Sequence, residues 1–163
     1  MKEKIIVIGA NESINPVIVK AKDLGFETHV FAWSAGDIGE KNADFFYPIS
    51  IDKKEEILEI CKKLQPVGVV SVTSDFAVQT VNYIARALGL LVNSEKSDHI
   101  ARNKYYMRVA FKEADIPTPW FKRISTEDLH SLNSDKIREL HYPLIIKPTD
   151  RWSSKGVTRV DGE

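Results

Sequence analysis

Short runs of strand-forming residues alternate with helically spaced apolar residues along the first half of the chain. The runs are Lys4–Ile8, residues 28–33, residues 45–49 and residues 67–72. The last of them is continuous and apolar, as is typical of a parallel strand that is buried on both faces. Between the runs, apolar residues recur every three or four positions, which predicts amphipathic helices. Strands that alternate with helices predict right-handed βαβ units and a parallel sheet.

The predicted helices have recognisable ends. Gly25 follows the first of them, as glycine often does at the left-handed position after a helix. Asp52 and Glu55 form an Asp-x-x-Glu start that is related to the capping box. A brief further strand is expected at residues 90–92. We therefore predict a doubly wound, Rossmann-like α/β sheet over residues 1–92, with strand order 3-2-1-4 and room for a fifth strand.

The pattern changes after Val92. Two helices are expected between Ser94 and Ala114, and an Ile-Pro-Thr-Pro connector then imposes an extended backbone. The remaining expected elements are a strand at residues 120–124, a helix from Ser125 to about Leu140, and strands at Leu144–Ile146 and residues 156–160 that enclose a polar loop. We predict a helical linker over residues 93–119 and an incomplete α+β domain over residues 120–163.

Composition and charge exclude several classes of protein. The 23 Lys and Arg residues balance the 23 Asp and Glu residues, so no net field would attract nucleic acid or an acidic membrane surface. No apolar run approaches the roughly 20 residues that a membrane span needs, and the first run is too short for a secretion signal. Cys61 is the single cysteine, so no internal disulfide can form. We expect a protein of the reducing cytoplasm that binds neither nucleic acid nor membrane.

Two polar loops are expected at the carboxyl edge of the sheet, beside the switch point where ligands of such sheets bind. The first loop follows strand one and contains Gly9, Asn11 and Glu12. It lacks the second and third glycines of G-x-G-x-x-G, which disfavours a dinucleotide cofactor. Gly9 either serves only the tight turn, or Asn11 and Glu12 contact a small substrate. The sequence leaves both interpretations open.

The second loop follows strand four and contains Thr73, Ser74 and Asp75. Ser and Asp side chains often accept hydrogen bonds from the first N–H groups of a helix, so we expect at least one of them to act as a cap. Their position beside Gly9 also makes these three residues candidates for contact with substrate.

Another candidate site lies near the end of the chain. Lys147 leaves a predicted strand and precedes a polar loop that contains Ser153, Ser154, Lys155 and Gly156. Free backbone N–H groups and hydroxyls in such a loop can surround a polyphosphate, and the lysine ammonium can neutralise its charge. The pattern predicts a phosphate-binding hairpin.

The order of motifs in this half of the chain resembles the ATP-grasp superfamily. Lys104 at the start of a helix is followed by A-D-I-P-T-P, a strand, a helix, and Y-P-L-I-I-K ending at Lys147. The same order marks the junction between the N-terminal domain and the nucleotide domain of that family. The whole chain looks like the N-terminal part of carboxylate–amine ligases such as the carbamoyl-phosphate synthase large chain, biotin carboxylase and glycinamide ribonucleotide synthetase. Its first domain would then be a pre-ATP-grasp domain, and its second a partial ATP-grasp lid.

The resemblance implies that ATP and Mg²⁺ are ligands. The residues implied in binding the ATP phosphates are Lys104, Lys147, Ser153, Ser154, Lys155 and Gly156. Family members commonly have two or more glycines in this loop, whereas this chain has one, with Arg151-Trp152 where small residues are usual. In the family, the carboxylates and the asparagine that hold magnesium lie on later strands, so we assign no metal ligand in this chain.

The activity implied by the resemblance is ATP-dependent ligation. ATP phosphorylates a carboxylate to an acyl phosphate, which an amine or a similar nucleophile attacks. The chain would be an N-terminal fragment of such a ligase and inactive by itself, and the free edge of its hairpin would allow pairing with a second copy. The alternative is a non-catalytic α/β domain that binds a small metabolite at the switch point without ATP.

Overall fold

The computed structural model describes residues 2–131, 140–151 and 153–162. The chain divides into two units, Met1–Ser94 and Glu95–Glu163. The elements of the first unit are β1 (Lys4–Ile8), α1 (Asn15–Asp23), β2 (Glu27–Phe31), α2 (Ile38–Asn42), β3 (Phe45–Tyr47), α3 (Lys54–Leu64), β4 (Gly68–Val70) and α4 (Asp75–Ala87). Those of the second unit are α5 (Glu95–Arg102), α6 (Lys104–Glu113), α7 (Thr126–Ser131), β5 (Leu144–Ile146) and β6 (Thr158–Val160).

The first unit is built on a parallel four-stranded sheet with the order β3-β2-β1-β4. β1 pairs with both of its neighbours, and the register places Ile8 beside Phe31 and Val7 beside Val70. The predicted α/β class, the parallel pairing and the strand order are therefore confirmed. β1 and β4 are adjacent, so the loops that follow them leave the sheet at the same edge.

The sheet is buried on both of its faces. Successive residues of a strand point to opposite sides, so each strand contributes to two separate buried clusters. Ile6 and Ile8 of β1 belong to one buried cluster, which includes Ile57 of α3 and Ile84 of α4. Val7 points the other way and belongs to a second cluster, whose remaining members are Ala10, Ile14, Ile18, Val30 and Ala32. Burial from both sides explains why the residues of β1 after Lys4 are all apolar rather than alternating with polar ones.

Cys61 of α3 is fully buried in the first of these clusters. Burial raises the pKa of its thiol to about 12. Only the thiolate is a strong nucleophile, so this side chain acts as a packing group.

The chain does not form the further strand that the sequence predicted at residues 90–92. Gly89 adopts a left-handed φ of 67° after α4. The N–H of Gly89 donates to the carbonyl of Arg86, and the N–H of Leu90 donates to the carbonyl of Ala85. This pair of bonds is the Schellman motif, which satisfies the last carbonyls of a helix. Leu90 therefore belongs to the cap that follows α4, and the sheet has four strands among the described residues.

The second unit contains the predicted antiparallel hairpin. β5 and β6 pair with Leu144 opposite Val160 and Ile146 opposite Thr158. Both helices predicted between Ser94 and Ala114 are present as α5 and α6. No helix in the described part of the chain has the length and the apolarity to cross a membrane.

Two predictions for the second unit have a different outcome. Residues 120–124 form no strand, because they join no ladder with any described residue, and a strand requires such a partner. The predicted helix after Ser125 begins at Thr126. Its continuation to Leu140 lies mostly outside the described residues.

Candidate functional site

Lys104 begins α6 and is held against the loop that follows β5. Asn103 caps the helix, because its side-chain oxygen accepts from the N–H groups of Tyr105 at 3.0 Å and Tyr106 at 3.3 Å. The N–H of Lys104 donates to the carbonyl of Thr149 at 2.8 Å, and its ammonium donates to the carbonyl of Arg151. The first residue of α6 is thus bound to the loop at two points.

Lys147 enters the same loop directly from β5. Its side chain is exposed, and Thr149, which binds Lys104, lies two residues further on. Two residues of extended chain span at most about 7 Å. The structure therefore brings the backbones of the two predicted phosphate lysines to one loop. Their ammonium groups provide the kind of charge that a polyphosphate requires.

Further along this loop, three residues adopt positive φ angles, which favour glycine. Ser153 and Ser154 have left-handed φ angles of 54° and 56°, and Gly156 has a φ of 74°. A Cβ atom on Gly156 would lie 2.9 Å from Cγ of Pro148, so only glycine fits there without a shift. The two serines occupy conformations that glycine adopts at lower cost. The residues of the glycine-poor loop therefore form a tight turn without the additional glycines.

The loop after β1 is shaped by Gly9 and closed by Asn11. Gly9 has a φ of 105°, and a Cβ atom there would lie 3.1 Å from the side chain of Ile14. The side-chain oxygen of Asn11 accepts from the N–H of Ile14 at 3.2 Å. Glu12 is exposed at the same edge. Asn11 thus has a structural role before α1, which leaves its amide NH₂ and the Glu12 carboxylate as groups to offer a substrate.

The loop after β4 has the capping role that the sequence predicted. The hydroxyl of Ser74 accepts from the N–H of Ala77 at 3.2 Å at the start of α4. Thr73 has a left-handed φ of 64°, an unfavourable conformation for a branched residue. Asp75 is exposed in the first turn. Ser71 holds this loop close to β1, because its hydroxyl donates to the carbonyl of Ile8 at 2.7 Å.

Glu40 holds a third loop, after β2, in which no site residue was predicted from the sequence. One of its carboxylate oxygens accepts from three successive N–H groups, those of Ala35 and Gly36 at 2.7 Å and of Asp37 at 3.0 Å. Its other oxygen accepts from the hydroxyl of Ser34 at 3.1 Å. The bond from Ala35 and the other hydrogen bonds lower the pKa of Glu40. The available signal was the Asp-x-x-Glu spacing of Asp37 and Glu40, which is a capping box in the structure.

The described residues fit ATP phosphates better than they fit magnesium. The loop after β5 combines lysines, hydroxyls and a tight backbone turn, which are the groups that cradle phosphate. By contrast, the described part of the chain contains no group of three His, Cys, Asp or Glu residues that could hold a metal ion. We therefore assign no step of a reaction to magnesium.

The parallel four-stranded sheet with helices on both faces, followed by α5, α6 and an antiparallel hairpin, agrees with the order of elements that the resemblance to ATP-grasp ligases implied. Comparison with known proteins confirms the resemblance to this superfamily. The chain is 25% identical over 162 residues to the formate-dependent phosphoribosylglycinamide formyltransferase of Prochlorococcus marinus (strain MIT 9515), covering 98% of this chain and 40% of the relative. It is 33% identical over 130 residues to the alanine–anticapsin ligase of Bacillus amyloliquefaciens, covering 72% of this chain and 27% of the relative.

A solved structure shows the same fold. The biotin carboxylase domain of the Hydrogenobacter thermophilus 2-oxoglutarate carboxylase matches 99% of this chain with a TM-score of 0.79 and 19% identity, over 38% of its own length. That protein was crystallised with MgADP, ADP and bicarbonate. No family model matches the chain. The chain spans about two fifths or less of the length of these proteins.

Proposed function

We propose that this chain is the N-terminal part of an ATP-dependent ligase, which activates a carboxylate as an acyl phosphate for attack by an amine or a similar nucleophile. The observation that carries the proposal is the binding of Lys104 to the loop that follows Lys147. A lysine that is bound to this loop and another that leads into it are suited to a polyphosphate. The similarity to an alanine–anticapsin ligase over 130 residues supports the reaction class.

Each loop has a role in the proposed reaction. An oxygen of the acceptor carboxylate attacks the γ-phosphorus of ATP, the bond to the bridging oxygen breaks, and ADP leaves. The nucleophile then attacks the acyl carbon, and inorganic phosphate leaves. Lys104 and Lys147 offset phosphate charge, while residues 153–156 cover the phosphates. The proposed acceptor site is formed by residues 9–12 and residues 73–75.

The proposal also assigns a role to each part of the chain and names the substrates and the compartment of the reaction. Residues 1–92 would be the pre-ATP-grasp domain, residues 93–119 the linker and residues 120–163 the beginning of the nucleotide domain. The substrates would be small molecules, with Mg²⁺ supplied together with ATP, in the cytoplasm. The edges of β5 and β6 would allow a second copy to pair, since unpaired strand edges invite association.

The test uses the complete protein that contains this chain, with ATP and magnesium supplied. Each L-amino acid and formate are offered singly and in pairs, because the two relatives are an alanine ligase and a formate-dependent enzyme. We expect ADP release that depends on the acceptor, and a product with the mass of two substrates less one water. If an acceptor binds but no pair releases ADP, the ligase proposal is wrong and the metabolite-binding alternative is favoured.

A further inference from the structure

The loop after β2 leaves the sheet beside the loop after β1. The two strands are parallel neighbours, and the N–H of Gly9 donates to the carbonyl of Phe31 at 2.8 Å. Because parallel strands end at the same edge, the residues that follow Phe31 and those that follow Gly9 emerge side by side. The loop over residues 33–37 therefore borders the predicted acceptor site on the side opposite to residues 73–75, given the order β2-β1-β4.

The two loops are also joined through α2. The N–H of Gly39 donates to the carbonyl of Ala10 at 2.9 Å. A Cβ atom on Gly39 would lie 2.4 Å from that carbonyl oxygen, so the approach is too close for any side chain. A second bond links the amide of Asn42 to the side-chain oxygen of Asn15 at 2.7 Å. A change in the conformation of the loop after β2 would therefore also alter the conformation of residues 9–12.

Glu40 holds this loop in one conformation, because four hydrogen bonds from residues 34–37 end on its carboxylate. The loop begins with Trp33, whose residue surface is 73% exposed, although the preceding Ala32 and Phe31 are buried. A large aromatic side chain on a fixed loop at a ligand-binding edge is well suited to contact a ligand. An aromatic side chain gains from such a contact, since the contact removes a large apolar area from water.

We propose that residues 33–37 form a third wall of the acceptor site, in which Trp33 is a specificity-determining residue and Glu40 is the positioning residue. Trp33 presents a flat apolar face, so the acceptor it favours is a small carboxylate with an apolar side chain. Glu40 acts through the loop and does not touch the substrate. This inference rests on the proposed function, because it concerns the acceptor site of that ligase.

The kinetic test compares W33A, W33F and E40Q in the complete protein, with L-leucine and glycine as acceptors. We expect W33A to raise KM for L-leucine about tenfold, which corresponds to about 1.4 kcal/mol, and to leave KM for ATP and for glycine within about twofold. W33F should keep most of the affinity, because it retains an aromatic face. E40Q should raise KM for L-leucine severalfold with kcat nearly unchanged, since it loosens the wall but removes no reacting group.

Matched controls separate these effects from misfolding. W120A removes another exposed tryptophan, and E56Q removes a carboxylate from the exposed face of α3. Amide exchange at residues 35–37 gives E40Q a second readout, and these amides should exchange at least tenfold faster than in E56Q. If W33A has the same KM values as W120A, or if E40Q leaves both KM and amide exchange unchanged, the third wall is wrong.

A binding measurement on the 163-residue chain distinguishes failure of this inference from failure of the proposed function. The double variant W120F/W152F leaves Trp33 as the single tryptophan. Its emission should change saturably when L-leucine is added, and much less with glycine. Saturable binding without any ADP release by the complete protein would support the role of residues 33–37 in binding and contradict the proposed ligase activity. Acceptor-dependent ADP release with no change in Trp33 emission would support the proposed ligase activity and contradict the role of Trp33 in binding.

Discussion

Lys104 contributes two donors to the loop after β5, and only one of them would have to change its partner in the proposed binding of a phosphate. Its main-chain N–H binds the carbonyl of Thr149, and its ammonium binds the carbonyl of Arg151. A phosphate oxygen is a charged acceptor and forms a stronger bond with an ammonium than a neutral carbonyl does. We therefore expect the ammonium to exchange the Arg151 carbonyl for phosphate, while the bond to Thr149 keeps the lysine in place.

Substitution of the two lysines tests this arrangement in the complete protein. A charge-assisted hydrogen bond contributes about 1.5–3 kcal/mol, so K147A should reduce ATP affinity and turnover by roughly one to two orders of magnitude. K104A should act in the same direction, and the double variant should lose less than the sum, because both lysines serve one ligand. K112A on the exposed side of α6 is the control. Equal ATP affinity and turnover for K147A and K112A would contradict the assignment.

At the same scale, the sequence predicted a polar turn after β5 but not how its residues are arranged. The lysine, serine and glycine types in this segment were sufficient to predict the turn, and its binding of phosphate stays a prediction. The left-handed conformations of Ser153 and Ser154 could not be predicted, since serine carries no strong preference for positive φ. The contact of Lys104 with Arg151 joins residues 47 positions apart, and local patterns contain no information on such a pair.

At the scale of elements, the sequence predicted the positions of β1 to β4 well but the lengths of three of them poorly. β1 has the predicted bounds, but β2, β3 and β4 are each shorter than their apolar runs. Apolarity continues past the last residue of a strand because the residues that follow still pack in the core, as Ala32 does. Helix α2 was missed because its five residues are too short for a hydrophobic period. Residues 120–124 and 90–92 had strand-like composition but lack a ladder among the described residues.

Asp44, just before β3, forms bonds to residues of both β2 and α1. Its Oδ2 accepts from both the N–H and the hydroxyl of Thr28 in β2, each at 2.9 Å, and its Oδ1 lies 3.1 Å from the ammonium of Lys22 in α1. Burial alone would raise the pKa of this carboxyl, but the bonds from Thr28 and Lys22 outweigh burial and lower the pKa. The ionised form is therefore the one that the fold favours.

This linkage predicts a pH-dependent stability. A carboxyl whose pKa is lower in the folded state stabilises the fold above its unfolded pKa, and the contribution is lost as pH falls through the folded pKa. D44N should therefore unfold with a free energy lower by about 1 kcal/mol at pH 7, and the difference from wild type should shrink below about pH 4. Urea unfolding at pH 7, 5 and 3 measures it, with D23N on the exposed end of α1 as the control. A difference that is constant with pH would show that Asp44 acts by packing alone.

At the scale of the whole molecule, burial is concentrated in the first unit. Every described residue that is fully buried lies between Ile6 and Ala85. The described residues of the second unit are half-buried or exposed, and Ile145 and Ile146 of β5 are each 55% exposed. The sequence predicted this core in the first unit from its continuous strands. It could not predict the exposure of β5, whose three apolar residues are typical of a buried strand.

Amide exchange measures how this unequal burial distributes stability over the chain. Strands with buried neighbours on both faces open only when the core unfolds, whereas a two-stranded hairpin with exposed side chains opens locally at low free energy. We expect amides of β1 and β2 to be protected by about 5 kcal/mol or more, and those of β5 and β6 to exchange at least a hundredfold faster. F31A should lower the protection of β1 by about 3–4 kcal/mol, because it removes a fully buried ring. I145A, the control, removes an exposed side chain and should leave β1 unchanged. Equal protection of β1 and β5 in the 163-residue chain would contradict this division and would mean that the hairpin is covered in solution.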